Sequence, residues 1–218
     1  RQKMRREYFG DLTAGELNPV FWENILETDF DSVSEESYYL DNYLEAVSGL
    51  IEADEEDQLE EYLSTLNRTL DNLSLKRGSI FEKLLENSLE WHKNIFDLYN
   101  QEENKSYLGP KSLSDRLIGN LAEKGTSLGN SHIIFNTVQE KLGQSDFETD
   151  LAADILGTVA PNVLSNINKD PAGHTVWQSF PDEWKITLGK LENADNQIRE
   201  LWLQNFLNWA QKRISQPN

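Results

Sequence analysis

Apolar residues recur along this chain at the three- and four-residue spacing of helices, and almost nowhere at the two-residue spacing of strands. Asn18-Pro19 is a helix start, with Asn as the cap and Pro at a position that needs no donor; Val20, Phe21, Trp22, Ile25 and Leu26 follow over 19–28. Ser32 and Glu35 form a capping box that opens a helix over 35–53, striped by Leu40, Tyr43, Leu44, Val47, Leu50 and Ile51. Asp54, Glu55, Glu56 and Asp57 then suit the first turn of another helix, where the macrodipole favours negative charge. Its stripe is Leu59, Tyr62, Leu63, Leu66, Leu70 and Leu73, and Lys76-Arg77-Gly78 reads as its stop.

Ser79 and Glu82 make a second capping box ahead of a helix over 80–100 that buries Ile80, Phe81, Leu84, Leu85, Leu89, Ile95, Phe96 and Tyr99, with His92 on the same face. Residues 101–111 are the most loop-like stretch, and shorter helices are expected at 113–123 and 131–142. A third box, Ser145 with Glu148, opens a stripe of Phe147, Leu151, Ile155, Leu156, Val163, Leu164 and Ile167, which Pro161 is expected to kink or split. After a loop over 168–181, a closing helix over 194–214 carries apolar residues around most of its circumference, Trp202 and Phe206 among them. Such a helix is a core element or one shared with a partner.

These elements predict an all-α protein, an irregular multi-helix bundle of eight or nine helices. It forms either two packed subdomains, an acidic one over 1–100 and a C-terminal one over 112–218 that meet at 101–111, or a single compact domain. No fixed repeat points to a solenoid.

Charge alters this picture more than composition does. The 218 residues hold 38 acids and 20 Lys and Arg, a formal net charge of −18. The whole of that excess sits in Glu7–Leu66, where eighteen acids occur without one Lys, Arg or His; residues 1–6 are +4 and residues 67–218 are −4. Surface helices ordinarily mix signs and gain i,i+4 pairs, and this stretch forgoes them. Either the acids are the solvated faces of amphipathic helices, or they dock on a cationic partner. Under the second reading Asp54, Glu55, Glu56, Asp57, Glu60 and Glu61 are the partner-binding residues, with Trp177 or Trp184 as an aromatic anchor beside Phe180-Pro181. Direct nucleic-acid binding is not expected, because phosphate is repelled and the cationic arm Arg1–Arg6 is short.

Candidate chemistry is sparse. With no cysteine there is no disulfide, thiolate nucleophile or thiolate metal site, which fits a cytoplasmic setting. No apolar run reaches the length of a membrane span, and a start at Arg1 leaves room for an upstream segment. Asp29-Phe30-Asp31 begins like a calcium loop but meets Val33 and Ser34 where a ligand and Gly are required. His92 has Leu89 where a di-iron bundle has Glu, H-E-x-x-H is absent, and His132 and His174 have no supporting neighbours. Gly125 to Asn130 is glycine-spaced but lacks the phosphate-loop lysine, and no G-x-S-x-G elbow occurs. Hence no metal, cofactor or catalytic residue is assigned. A histidine on an apolar helix face is most simply a core residue bonded to a carbonyl or carboxylate. The function expected is that of a non-catalytic acidic interaction protein, a regulatory or adaptor subunit that binds a protein partner with a basic surface. The alternative is a helical pocket protein or enzyme that holds an apolar ligand or cofactor through His92 and Trp202.

Overall fold

The helical spacing becomes seven α-helices, with no strand, among the residues that the computed structural model describes: 19–26, 30, 32–99, 109–142, 144, 148–166, 200 and 204. They are α1 (Pro19–Leu26), α2 (Val33–Glu52), α3 (Glu56–Thr69), α4 (Gly78–Tyr99), α5 (Pro110–Ser127), α6 (Ser131–Leu142) and α7 (Thr149–Asn166), with a 3₁₀ turn at Leu70–Asn72 after α3. The closing helix, Trp177, Trp184 and Trp202 lie outside the described residues; of 194–214 only Glu200 and Gln204 are described, both exposed.

The stripes face inward. Leu40, Tyr43, Leu44, Val47 and Ile51 of α2 are buried, as are Leu59, Tyr62, Leu63 and Leu66 of α3 and Ile80, Phe81, Leu84, Leu85, Leu89 and Ile95 of α4. They join residues of α5, α6 and α7 in one hydrophobic cluster. From α1, Trp22 sets its ring edge-on to Tyr43 at 5.2 Å, and the Tyr43 hydroxyl donates to the Tyr62 carbonyl at 2.6 Å.

Helix α5 packs against α3, α4, α6 and α7. Small residues permit that. A Cβ on Gly125 would fall 2.3 Å from Phe81 Cζ and 3.0 Å from Ile134 Cδ1, and one on Gly119 would fall 3.1 Å from Asn162 Nδ2. Helix-interior glycines cost about 1 kcal/mol each, and here the close approach of three neighbours offsets that cost. Asn67 adds a polar tie, donating to the Leu113 carbonyl at 3.1 Å and accepting from Asn120 at 3.0 Å.

Several boundaries differ from the sequence reading. The Ser32 cap forms, accepting from the Glu35 amide at 3.2 Å. However, α3 ends at Thr69, and Gly78 opens α4 instead of closing α3. The reason is tertiary. The buried Glu36 carboxylate accepts from the Ser74 amide at 2.6 Å and the buried Asn130 amide donates to the Leu75 carbonyl at 2.8 Å, which holds a turn-bearing connection that sinks Leu73 and Leu75 into the core. Because the Arg77 carbonyl already accepts from Ile80 and Phe81, Ser79 sits inside the first turn of α4 and does not cap it. Helix α5 begins at Pro110, within the stretch read as loop, and runs through Gly125 to Ser127. Its end is a Schellman turn: Gly129 has φ 87°, and the Asn130 amide reaches the Gly125 carbonyl at 2.8 Å. Pro161 does not split α7, which stays helical from Thr149 to Asn166. The carbonyl four residues before it belongs to Gly157, and both residues are exposed, where solvent can satisfy a carbonyl that lacks its amide donor.

Candidate functional site

Two groups of carboxylates carry the chemistry that the described residues offer. The first is the corner between α2 and α3. Helix α2 ends in another Schellman turn, with the Glu55 amide on the Leu50 carbonyl at 3.1 Å and the Asp54 amide on the Ile51 carbonyl at 3.2 Å. Here the left-handed position is filled by Asp54, at φ 56°, where glycine is the usual residue. Its carboxylate is held by the Tyr99 hydroxyl at the end of α4, 2.6 Å away. Glu55, Glu56 and Asp57 follow in the exposed turn into α3, with Glu56 and Asp57 in the helix's first turn. One turn further on, Glu60 is half-buried and Glu61 exposed.

The structure therefore brings all six sequence-predicted acids together on one corner. Among the described residues, none of the six is joined to a cation by an ion pair. The strain shows at Glu60, whose carboxyl is raised above its ordinary value by partial burial and then by Glu56 and Asp57 beside it. Glu60 and Glu61 also line a groove of about 360 Å³ with Glu23, Ser64, Thr65, Arg68, Pro19 and Leu113. Within that lining Arg68 donates to Glu23 at 3.1 Å, to Ser64 at 3.1 Å and to Thr65 at 3.2 Å.

The second group surrounds His92. Its ring is fully buried, 0% exposed, on the inner face of α4. Nε2 lies 2.8 Å from Asp154 Oδ2 on α7 and 3.6 Å from Asp115 Oδ1 on α5, while Nδ1 lies 2.9 Å from the buried Ser114 hydroxyl. A carboxylate only accepts, so Nε2 donates to Asp154. Lys111, one turn ahead of Asp115, donates to Asp154 at 2.6 Å and to Asp115 at 3.1 Å, and its ammonium sits 5.4 Å over the Phe96 ring. Partial burial pushes the Asp154 carboxyl up, but the hydrogen bonds and charges of His92 and Lys111 outweigh it and leave it lowered to about 2.

Hydroxyl, imidazole and carboxylate thus stand in a row, as in a nucleophile with its base. Ser114 is only 1% exposed, however, so no substrate carbonyl can reach its oxygen. Both ring nitrogens of His92 are engaged, as for a core histidine bonded to a carboxylate. What the cluster does in the fold is tie α4, α5 and α7 together.

Sequence reasoning placed His92 on a buried face but missed Lys111, Ser114, Asp115 and Asp154. Two signals were present: the i,i+4 pair of Lys111 and Asp115, and an aspartate set among Leu151, Ile155 and Leu156 in the stripe of α7. His132 is exposed, and His174 and the Asp29-Asp31 pair lie outside the described residues. No helix among the described residues is long and apolar enough to cross a membrane. No protein-family model matches the chain, and neither a curated protein nor a solved structure matches it.

Proposed function

We propose that this chain is a non-catalytic helical interaction protein that docks on a basic surface of a protein partner through the acidic corner of α2 and α3. The observation that carries the reading is the contrast in pairing. Arg68, Lys83, Lys111, Lys124 and Lys141 each hold a carboxylate, whereas Asp54, Glu55, Glu56, Asp57, Glu60 and Glu61 have no cation among the described residues. Six like charges within eight residues repel one another, and a cationic partner offsets that repulsion. The adjoining groove supports the same reading, because its Glu23, Ser64 and Thr65 oxygens already accept a guanidinium, that of Arg68. The corner repels phosphate for the same reason that it attracts cations, so nucleic acid is not the ligand.

The experiment is a pull-down from cell extract at low and high salt, followed by binding kinetics with each captured protein. Association is expected to slow steeply as salt rises. The fourfold reversal Glu55→Lys, Glu56→Lys, Glu60→Lys and Glu61→Lys is expected to abolish capture while the helical circular dichroism is kept. Partners that bind the reversed protein equally well, or independently of salt, would sink the proposal.

A further inference from the structure

Helices α4, α5 and α7 bring one imidazole nitrogen and two carboxylates to a point, and we propose that this point binds a zinc ion in place of the Lys111 ammonium. The donors are His92 Nε2, Asp115 and Asp154, with ligand atoms all within 4.8 Å of one another. Donors about 2.0–2.2 Å from one tetrahedral ion lie roughly 3.3–3.6 Å apart. The 3.6 Å separation of Nε2 from Asp115 lies at the top of that range, and the 2.8 Å hydrogen bond to Asp154 must open by about 0.5 Å when the metal replaces the proton.

Burial is graded as an open metal site requires. The imidazole is closed off at 0% exposure, while the Asp154 and Asp115 side chains are 31% and 35% exposed, so the ion enters from the carboxylate side and water completes its shell. The support behind the ligand is also in place. With zinc on Nε2 the imidazole carries its proton on Nδ1, where the Ser114 oxygen 2.9 Å away accepts it and fixes the ring.

A cation is already demanded at this point. In the zinc-free protein two carboxylates share the Lys111 ammonium, which stands on a flexible stem. Withdrawal of that side chain toward solvent frees both carboxylates without moving a helix. One nitrogen and two oxygens suit zinc and its first-row neighbours; calcium, which takes six to eight oxygens, is excluded by the imidazole.

The test is titration of the metal-free chain with zinc chloride by calorimetry, with cobalt(II) as a visible probe of coordination. One equivalent is expected to bind and to give the d–d bands of a tetrahedral ion. Asp115→Asn, a half-exposed and conservative change, is expected to weaken binding by tenfold or more, on the order of 10–100-fold. Lys111→Met removes the competing cation and is expected to tighten binding by about tenfold, or about 1.4 kcal/mol. Neutralising the corner with Glu55→Gln, Glu56→Gln, Glu60→Gln and Glu61→Gln is expected to leave this affinity unchanged. Circular dichroism on every variant separates lost binding from lost fold. Binding that ignores Asp115→Asn and Lys111→Met, that disappears with the corner acids, or that fails in the folded native chain would overturn the proposal.

Discussion

At the α2–α3 corner six acids, five of them exposed, crowd into residues 54–61 without a cation among the described residues, whereas around His92 two aspartates share a lysine and an imidazole. The difference follows from the surroundings of each group. Repulsion between exposed charges a few ångströms apart costs about 1 kcal/mol or less in water-like surroundings, so the fold tolerates the corner. A half-buried carboxylate has lost part of its hydration: partners steady Asp154 in its charged form, whereas Glu60, half-buried beside like charges, has its carboxyl raised. Charge therefore ties helices together in one region, and in the other it is left without a cation among the described residues.

The largest expected effect breaks the second half of that comparison. His92→Ala leaves a cavity and strips Asp154 and Ser114 of a partner, and should lower stability by about 3–4 kcal/mol in a urea melt. A loss under about 1 kcal/mol would mean that the cluster does not brace the three helices.

Acid comes next, and it should act on the two regions with opposite signs. Asp154 has a folded-state pKa of about 2, below the usual carboxylate value, so its contribution is complete above about pH 4 and is lost as pH falls toward 2. The expected loss is about 1–2 kcal/mol after allowance for its exposed edge. Glu60 is shifted the other way, so its protonation relieves the corner as pH falls. Melts from pH 6 to pH 2 on the native chain and on Asp154→Asn would separate the two, since only the native chain should show the aspartate's step.

Smaller still is the effect of neutralising the corner. The four changes Glu55→Gln, Glu56→Gln, Glu60→Gln and Glu61→Gln should raise the thermal midpoint slightly, by up to about 0.5 kcal/mol of stability. A clear fall would show that these acids serve the fold. The smallest effect is expected from Asp54→Gly. It relieves the left-handed strain of about 1 kcal/mol and forfeits the Tyr99 hydrogen bond of similar size, so chemical denaturation should place it within about 0.5 kcal/mol of the native chain. Tyr99→Phe, which loses the bond and keeps the strain, should be the less stable of the pair.

How much of this was legible in the sequence depends on whether the cause is local. The stripes of α2, α3 and α4 and the Ser32 cap were readable because helix periodicity and capping operate within a few residues. The exposed corner was readable because a run of acids cannot be buried. The end of α3 was not, since the connection after it is set by Glu36 and Asn130, 38 and 55 residues from the backbone groups they hold. The start of α5 was hidden because Gly109-Pro110 reads as a turn until a helix follows it. The His92 cluster lay further out of reach: its hydroxyl and bonded carboxylate are 22 and 62 residues away on two other helices, and no spacing rule along the chain connects them.

The close seat of Gly125 on Phe81 has a consequence for how the chain acquires its shape during synthesis. Residues 19–99 leave the ribosome before α5 exists, so the nascent α3 and α4 carry an uncovered apolar seam until about residue 127 is clear. The unpaired acids belong to this early-emerging part. They give a half-made chain a negative charge over the interval in which its seam is uncovered, and chains of like charge repel one another.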